Sequence, residues 1–257
     1  MSAGVTVGSV GADPNPPAAA DAALESVSVL SEETRRRMYA VVRRAGRPVT
    51  RDEAAAGVGV SRKLAAFHLD KLVEAGLLRA HYEHTDGLRR AGRRPKLYEP
   101  SGVTVQFSIP DRRHEFLADL LMEAVLTEGR TEDARQAAVR VAGARGRDLG
   151  AAERQATRPG RLGAERGLTF CERMLERHGF EPLRETTTRL RLRNCPFQPL
   201  TAKAPDLVCA MNHAFLTGYL DGVGATGLRA VPAPTPGECC VRISPAAPRQ
   251  PGAPSGS

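Results

Sequence analysis

The chain has no Trp, and aromatic residues make up only 4% of its 257 residues. Large aromatic anchors therefore do not dominate the interior. Ala, Val and Leu must fill most of the core that a 41% hydrophobic content allows. No run approaches the roughly 18 to 20 apolar residues that a membrane-spanning helix needs, so no membrane partner is expected. No basic segment followed by a hydrophobic stretch opens the chain, and a cytoplasmic location is the expectation. There, five cysteines are expected to be reduced, metal-bound or redox-active rather than joined in structural disulfides. CxxC pairs, a G-x-S-x-G elbow, an H-E-x-x-H pair and a P-loop are all missing, so an enzyme is not expected. Residues 222–227 spell GxGxxG. They follow a helix and lead into a strand, the reverse of the order a dinucleotide site needs, and they read as a turn.

What the chain does have is basic charge in one place. The formal net charge is +8. Residues 31–100 carry 16 Lys or Arg against 9 Asp or Glu, whereas residues 101–257 carry 21 against 17 and the first thirty carry three acids and no base. A genome that favours Arg would enrich it everywhere, so the clustering points to a polyanionic partner for the first block.

The pattern along the chain predicts an α+β protein: an N-terminal winged helix-turn-helix, linking or dimerisation helices, and a C-terminal α+β sensor domain. Residues 1–27, with Asp13-Pro14-Asn15-Pro16-Pro17, read as a disordered lead-in, and residues 245–257 as a disordered tail. The winged-helix domain spans 28–102. Its first helix follows Ser31, Glu32 and Glu33 and ends at Gly46 and Pro48. Thr50 caps a short second helix, Gly57-Val58-Gly59 forms a turn, and Ser61 caps a third helix that buries Ala65, Leu69 and Leu72 before Gly76. Strands are expected over 77–82 and 96–98. Residues 110–160 read as linker and dimerisation helices, with Phe116, Leu117, Leu120, Leu121 and Val125 at helical spacing. Residues 161–244 read as a Cys-containing sensor domain with helices near 168–178 and 206–220 and strands near 188–193, 228–231 and 240–243.

Three short helices and a hairpin are the parts of a winged helix-turn-helix, whose third helix lies in the major groove of duplex DNA. The outer face of that helix would carry Ser61, Arg62, Lys63, Phe67 and Lys71, and the wing would carry Arg89, Arg90, Arg93, Arg94 and Lys96 for phosphate or minor-groove contacts. The words "GVSRKLAAFHLDKLVEAGLLRA" and "GRRPKLYEP" resemble the ArsR-like winged-helix regulators of bacteria. His68 matches that family's His-Leu pair and reads as a packing histidine. His81 and His84 read as solvated wing residues rather than a metal pair. Such regulators act as homodimers on pseudo-palindromic sites, and the helix of residues 116–126, with the Ala-rich helix after it, is the candidate dimer surface.

Cys195 and Cys209 are separated by thirteen residues, and Cys239 follows after twenty-nine. The spacing alone is a weak signal. Its context is stronger: Cys195 precedes Pro196 at a strand end, Cys209 lies near a helix start whose dipole favours thiolate, and Cys239 sits in a turn. This arrangement, in "LRNCPFQPL", "DLVCAMNHAFLTGYL" and "PGECCVRI", resembles the C-terminal half of actinobacterial repressors of iron–sulfur-cluster assembly. The resemblance implies Cys195, Cys209 and Cys239 as ligands to a [4Fe–4S] cluster, with Cys240 adjacent and non-ligating. Both intervals are a residue or two longer here, and no fourth ligand is evident, Cys171 and His213 being the candidates. Cys171 otherwise belongs with Leu168, Met174 and Leu175 in the core. The alternatives left open are structural cysteines, zinc, a thiol redox switch, and an apolar-ligand pocket lined by Phe197, Leu200, Phe215 and Leu216. A more distant one is a thiol-dependent enzyme using Cys195 or Cys239 with His213 as base.

Overall fold

The computed structural model describes residues 16–82, 95–105 and 108–246. The chain divides into two compact units, Met1–Phe107 and Ser108–Ser257. Together they make the α+β architecture that the sequence predicts. No helix among the described residues is long and apolar enough to cross a membrane.

In the N-terminal unit, α1 (Pro16–Val29) leads into α2 (Glu33–Ala45), β1 (Val49–Thr50), α3 (Arg51–Val58), α4 (Arg62–Glu74), β2 (Leu78–Tyr82) and β3 (Lys96–Pro100). Local chemistry sets most of these boundaries. The Glu32 carboxylate accepts from the Thr34 and Arg35 amides at 2.9 and 2.7 Å and caps α2, which Gly46 ends in a left-handed conformation. Thr50 and Glu53 form a reciprocal capping box at the start of α3. Ser61 Oγ accepts from the Leu64 amide and starts α4. Met38, Val42, Leu69 and Leu72 are fully buried between the helices, each contributing about 1.5–3 kcal/mol by leaving water. The sheet runs β1-β3-β2, with β2 and β3 an antiparallel hairpin from Leu78↔Pro100 to Tyr82↔Lys96.

Two expectations change here. Residues 16–27 fall in a helix where a disordered lead-in was expected. The Ala-rich run favours helix, Pro16 sits where its missing N–H costs nothing, and Ser26 Oγ donates to the Ala75 carbonyl at 3.3 Å. Gly57 and Val58 remain inside α3, so the turn consists of Gly59 (φ 78) and Val60. Gly57 serves packing: a Cβ there would meet Val41 Cγ1 at 2.9 Å, so only glycine lets α2 and α3 approach this closely.

In the C-terminal unit, α5 (His114–Leu126), α6 (Ala134–Thr157) and α7 (Ala164–Arg177) precede β4 (Pro182–Thr186) and β5 (Arg189–Leu192). Then come α8 (Leu200–Lys203), α9 (Pro205–Val223), β6 (Leu228–Pro232) and β7 (Val241–Pro245). The antiparallel sheet has the order β4-β5-β7-β6. Its inner face (Leu190, Leu192, Val241, Ile243) joins one core with α7 (Leu168, Cys171, Met174, Leu175) and α9 (Phe215, Leu216, Tyr219).

The Ala-rich segment read as linker or dimer surface is instead central to this unit. Gly143, Gly146 and Gly150 of α6 lie against α9 so closely that a Cβ on Gly146 would collide with the Phe215 carbonyl. A Cβ on Gly218 would likewise collide with the Gly143 carbonyl. This face of α6 is covered by its own chain. The outer side of α5 is not: Met122, Val125 and Leu126 are 61%, 70% and 81% exposed. Phe197 and Phe215, expected around an apolar pocket, are buried and pack in ring contact with Phe116, and Leu216 is fully buried beside them.

Candidate DNA interface and thiol site

The helix α4 presents two unlike faces. Ala65, His68, Leu69 and Leu72 turn inward, as the spacing of 4 and 3 predicts for the apolar residues. The opposite face exposes Arg62, Lys63, Leu64 and Phe67, the last at 55%. An exposed Phe among cations is out of place in a monomer's solvated surface and suits apolar contact with a base edge. Arg62 pairs with Asp52 of α3 at 2.6 Å, so its guanidinium is tied to the first turn of α3 while remaining exposed. Lys71, further along, is paired with Glu74. Ser61 spends its hydroxyl as the helix cap.

Lys96 is committed elsewhere. Its ammonium donates to Asp70 Oδ1 at 2.7 Å and lies 5.2 Å from the Tyr98 ring, and the bond to Asp70 raises its pKa. It ties the base of the wing to the back of α4. Arg89, Arg90, Arg93 and Arg94, and His84 with them, lie outside the described residues. His81 Nδ1 is 3.4 Å from Glu99 Oε1, which also accepts from Arg79. His68 is buried, with Nδ1 3.5 Å from the Glu32 carboxylate that caps α2, a packing position away from the exposed face.

In the C-terminal unit the three predicted cysteines come together with a fourth. Cys195 follows β5, Cys209 lies in the N-terminal part of α9, and Cys239 and Cys240 occupy the irregular bend before β7. Cys195 neighbours Cys239, Cys239 neighbours Cys240, and Cys240 neighbours Cys209, closely enough for each thiol to shift the next. Backbone bonds fix the frame. The Cys239 amide donates to the Leu192 carbonyl at 3.0 Å, and the Ala233 amide donates to the Cys240 carbonyl at 2.7 Å. Asn194 is held by Arg112, which donates to its Oδ1 at 2.8 Å, and it donates in turn to the Gly179 carbonyl at 2.9 Å. The segment carrying Cys195 is thereby pinned.

The contacts among them also sort the four thiols. The bond from Cys239 pulls Cys195 down to about 6, helped by the Thr201 hydroxyl and opposed by burial. Cys240 is lowered to about 7, first by Cys239. Cys239 is pushed well up because it donates to both neighbours, and Cys209 is pushed up to about 12, chiefly by burial. The dipole argument for a Cys209 thiolate therefore fails: desolvation outweighs the helix terminus at this depth. Cys171 is fully buried with Leu168, Met174 and Leu175, its thiol pushed up by burial, as expected of a core cysteine.

Sequence reasoning passed over Asn212, which is 2% exposed and donates from Nδ2 to Cys239 Sγ at 3.2 Å. Its spacing gave a signal: it follows Cys209 by three residues on one helix, a separation that puts both on one face. Among the described residues, no three His, Cys, Asp or Glu side chains surround a point that a metal ion could occupy. The sulfurs run as a chain of contacts rather than as a shell around a single ion.

A protein-family model described as a helix-turn-helix domain matches residues 30–81. No curated protein matches the chain. The matched span covers α2, β1, α3 and α4 and enters β2. With the two-faced α4 and the β2–β3 hairpin, it identifies the N-terminal unit as a winged helix-turn-helix, the DNA-binding part of a transcriptional regulator.

Proposed function

We propose that the chain is a homodimeric repressor in which α4 of each copy reads half of a pseudo-palindromic duplex site and the C-terminal thiols sense iron or redox state. Arg62 and Lys63 contact phosphates and base edges, Phe67 makes the apolar contact, and the wing follows the backbone. A second copy covers Met122, Val125 and Leu126 of α5. This reading is supported by the apolar exposure of that helix and by the two-fold symmetry that such operators share with their proteins.

The observation that carries the sensing half is the meeting of Cys195, Cys209 and Cys239, drawn from three separate segments, in one set of sulfur contacts. Cysteine sulfurs are the donors that an iron–sulfur cluster takes, and of these three Cys195 is the one whose thiol is lowered before any metal binds. The donor set therefore fits a [4Fe–4S] cluster on Cys195, Cys209 and Cys239 in its chemistry. When bound, the cluster would supply a charge that changes with one electron or with iron supply. The protein's own part is to hold the three sulfurs near one end of the central strands β5 and β7, keep Cys195 ready as thiolate, and exclude water from Cys239.

Anaerobic reconstitution with iron and sulfide tests this. Broad visible absorption with roughly four irons per chain is expected, bleached in Cys195→Ser. Colourless, iron-free protein after reconstitution would refute the cluster and leave the DNA-binding unit as described. For the dimer, Val125→Glu should shift the mass in solution to that of a monomer, and an unchanged mass would place the interface elsewhere.

A further inference from the structure

We infer that Leu64 and Phe67 together read thymine in each half-site, their side chains seated against the 5-methyl groups that thymine alone among the four bases presents in the major groove. The inference rests on the reading of α4 as the helix that lies in that groove. It deepens that reading by naming the base and by adding Leu64 to the residues that specify it.

Leu64 is in the first turn of α4, where its amide donates to the Ser61 cap at 3.2 Å. Phe67 follows three residues later, a spacing that sets two side chains on one face with about 5–6 Å between their Cβ atoms. They are 41% and 55% exposed, and among the described residues of α2, α3 and α4 they are the large apolar side chains left in solvent. Neither belongs to the core of Met38, Val42, Leu69 and Leu72 or to the side chains packed against it. The Phe67 ring stands edge-to-face with the buried His68, with 5.3 Å between centroids, which restricts its rotation before any partner arrives.

The cations beside them say what covers this patch. Arg62 and Lys63 directly precede Leu64 and are both exposed, which suits an occupant that carries negative charge around an apolar centre. Duplex DNA does so in its major groove, where phosphates flank the base edges. Leu and Phe side chains offer no hydrogen-bond donor or acceptor, and covering the polar edge of another base with them would leave its groups unpaired at a cost. A methyl group removes that cost. Successive base pairs stack about 3.4 Å apart, so side chains about 5–6 Å apart span roughly one to two steps, and the thymines they read are close neighbours.

The test uses the full chain and a duplex site that it selects from random sequence. Each thymine of that site is replaced in turn by deoxyuridine, which lacks the 5-methyl group and keeps every hydrogen-bonding atom. At a pair of thymines in each half-site the parent should bind about 4-fold more weakly per methyl removed, the loss that goes with one buried methylene-sized group. Leu64→Ala should bind the dT and dU forms of one of these positions alike, and Phe67→Ala those of the other. Both variants should keep the circular dichroism of the parent, since both side chains lie outside the core.

A parent that selects a site yet binds every dU-substituted form of it equally would overturn the thymine reading and leave α4 as a DNA-binding helix. A methyl effect that persists undiminished in both variants would give the contact to another side chain and overturn the assignment to Leu64 and Phe67. A Leu64→Ala/Phe67→Ala chain that binds the site as the parent does but has a changed mass in solution would make the patch an interface between copies instead. Failure to enrich any duplex would overturn the DNA-binding reading itself, and this inference with it.

Discussion

The two units place their working side chains in opposite ways. In the N-terminal unit Arg62, Lys63 and Phe67 stand outside a core of Met38, Val42, Leu69 and Leu72, and none of them is needed to hold that core together. In the C-terminal unit Cys195, Cys239 and Asn212 are buried, and the segments that carry them are also the segments that build the fold. A surface that meets a large polyanion can be changed residue by residue with little effect on stability. A buried sulfur site cannot, because each thiol is also a packing group. Binding and folding should therefore separate cleanly in the first unit and remain coupled in the second.

The largest effect expected is on the C-terminal fold. Gly146→Leu forces a side chain into the contact between α6 and α9, where even a Cβ collides with the Phe215 carbonyl. A loss of about 3 kcal/mol or more is expected, at the upper end of overpacking effects. Calorimetry should show the C-terminal transition lowered and the N-terminal one unmoved. A single shared shift would mean that the units do not unfold independently.

Within the N-terminal unit, Leu69→Ala should cost about 2–5 kcal/mol, because Leu69 is fully buried. Phe67→Ala, about half a helical turn away on the outer face, should stay within about 0.5 kcal/mol of the parent while weakening DNA binding. Equal stability losses in the two variants would show that the outer face is structural after all. The Arg62→Ala/Lys63→Ala pair should leave the circular dichroism unchanged and lower the slope of log affinity against log salt by about 2, if both cations neutralise phosphates. An unchanged slope would move the reading surface off the first turn of α4.

The smallest effects concern pH, and they differ in sign between the units. Glu53 is held down to about 2, first by the bond from Arg47, so the stability from its capping box is fully present above the ordinary value of 4.5. That stability is lost as pH falls through about 2. Glu53→Gln should flatten the acid limb of the N-terminal melt. In the metal-free C-terminal unit, alkylation of the half-buried Cys240 should instead rise with pH through about 7 as its thiolate forms, whereas Cys209 should stay slow far above that. Equal pH profiles for the two thiols would contradict the hydrogen-bond order along the sulfur chain.

The helix-turn-helix was legible in the sequence because its signals are local. Thr50 with Glu53, Ser61, and the period of Ala65, Leu69 and Leu72 each act within one or two turns of chain. What escaped notice depends on distant partners. The two-residue β1 exists only by pairing with Leu97 and Tyr98. Gly57 looked like a turn residue because nothing local reveals Val41 pressed against it. The burial of α6 was hidden for the same reason, since an Ala- and Arg-rich helix reads as surface until the matching glycines of α9 are laid against it. At the thiol site the sequence supplied Cys195, Cys209 and Cys239. It gave no means of seeing that burial reverses the dipole's effect on Cys209, or that the bend before β7 turns Cys240 toward the same sulfurs.

The most direct test of the whole account is the affinity for a selected duplex site of protein reconstituted anaerobically with iron and sulfide, measured before and after oxidative bleaching. Parent protein should change its affinity by about 5- to 150-fold between the two states, the usual range of coupling between linked sites, and Cys195→Ser should show one affinity throughout. Equal affinity of the parent in both states would contradict the account, separating a helix-turn-helix that binds DNA from a thiol site that has no influence on it.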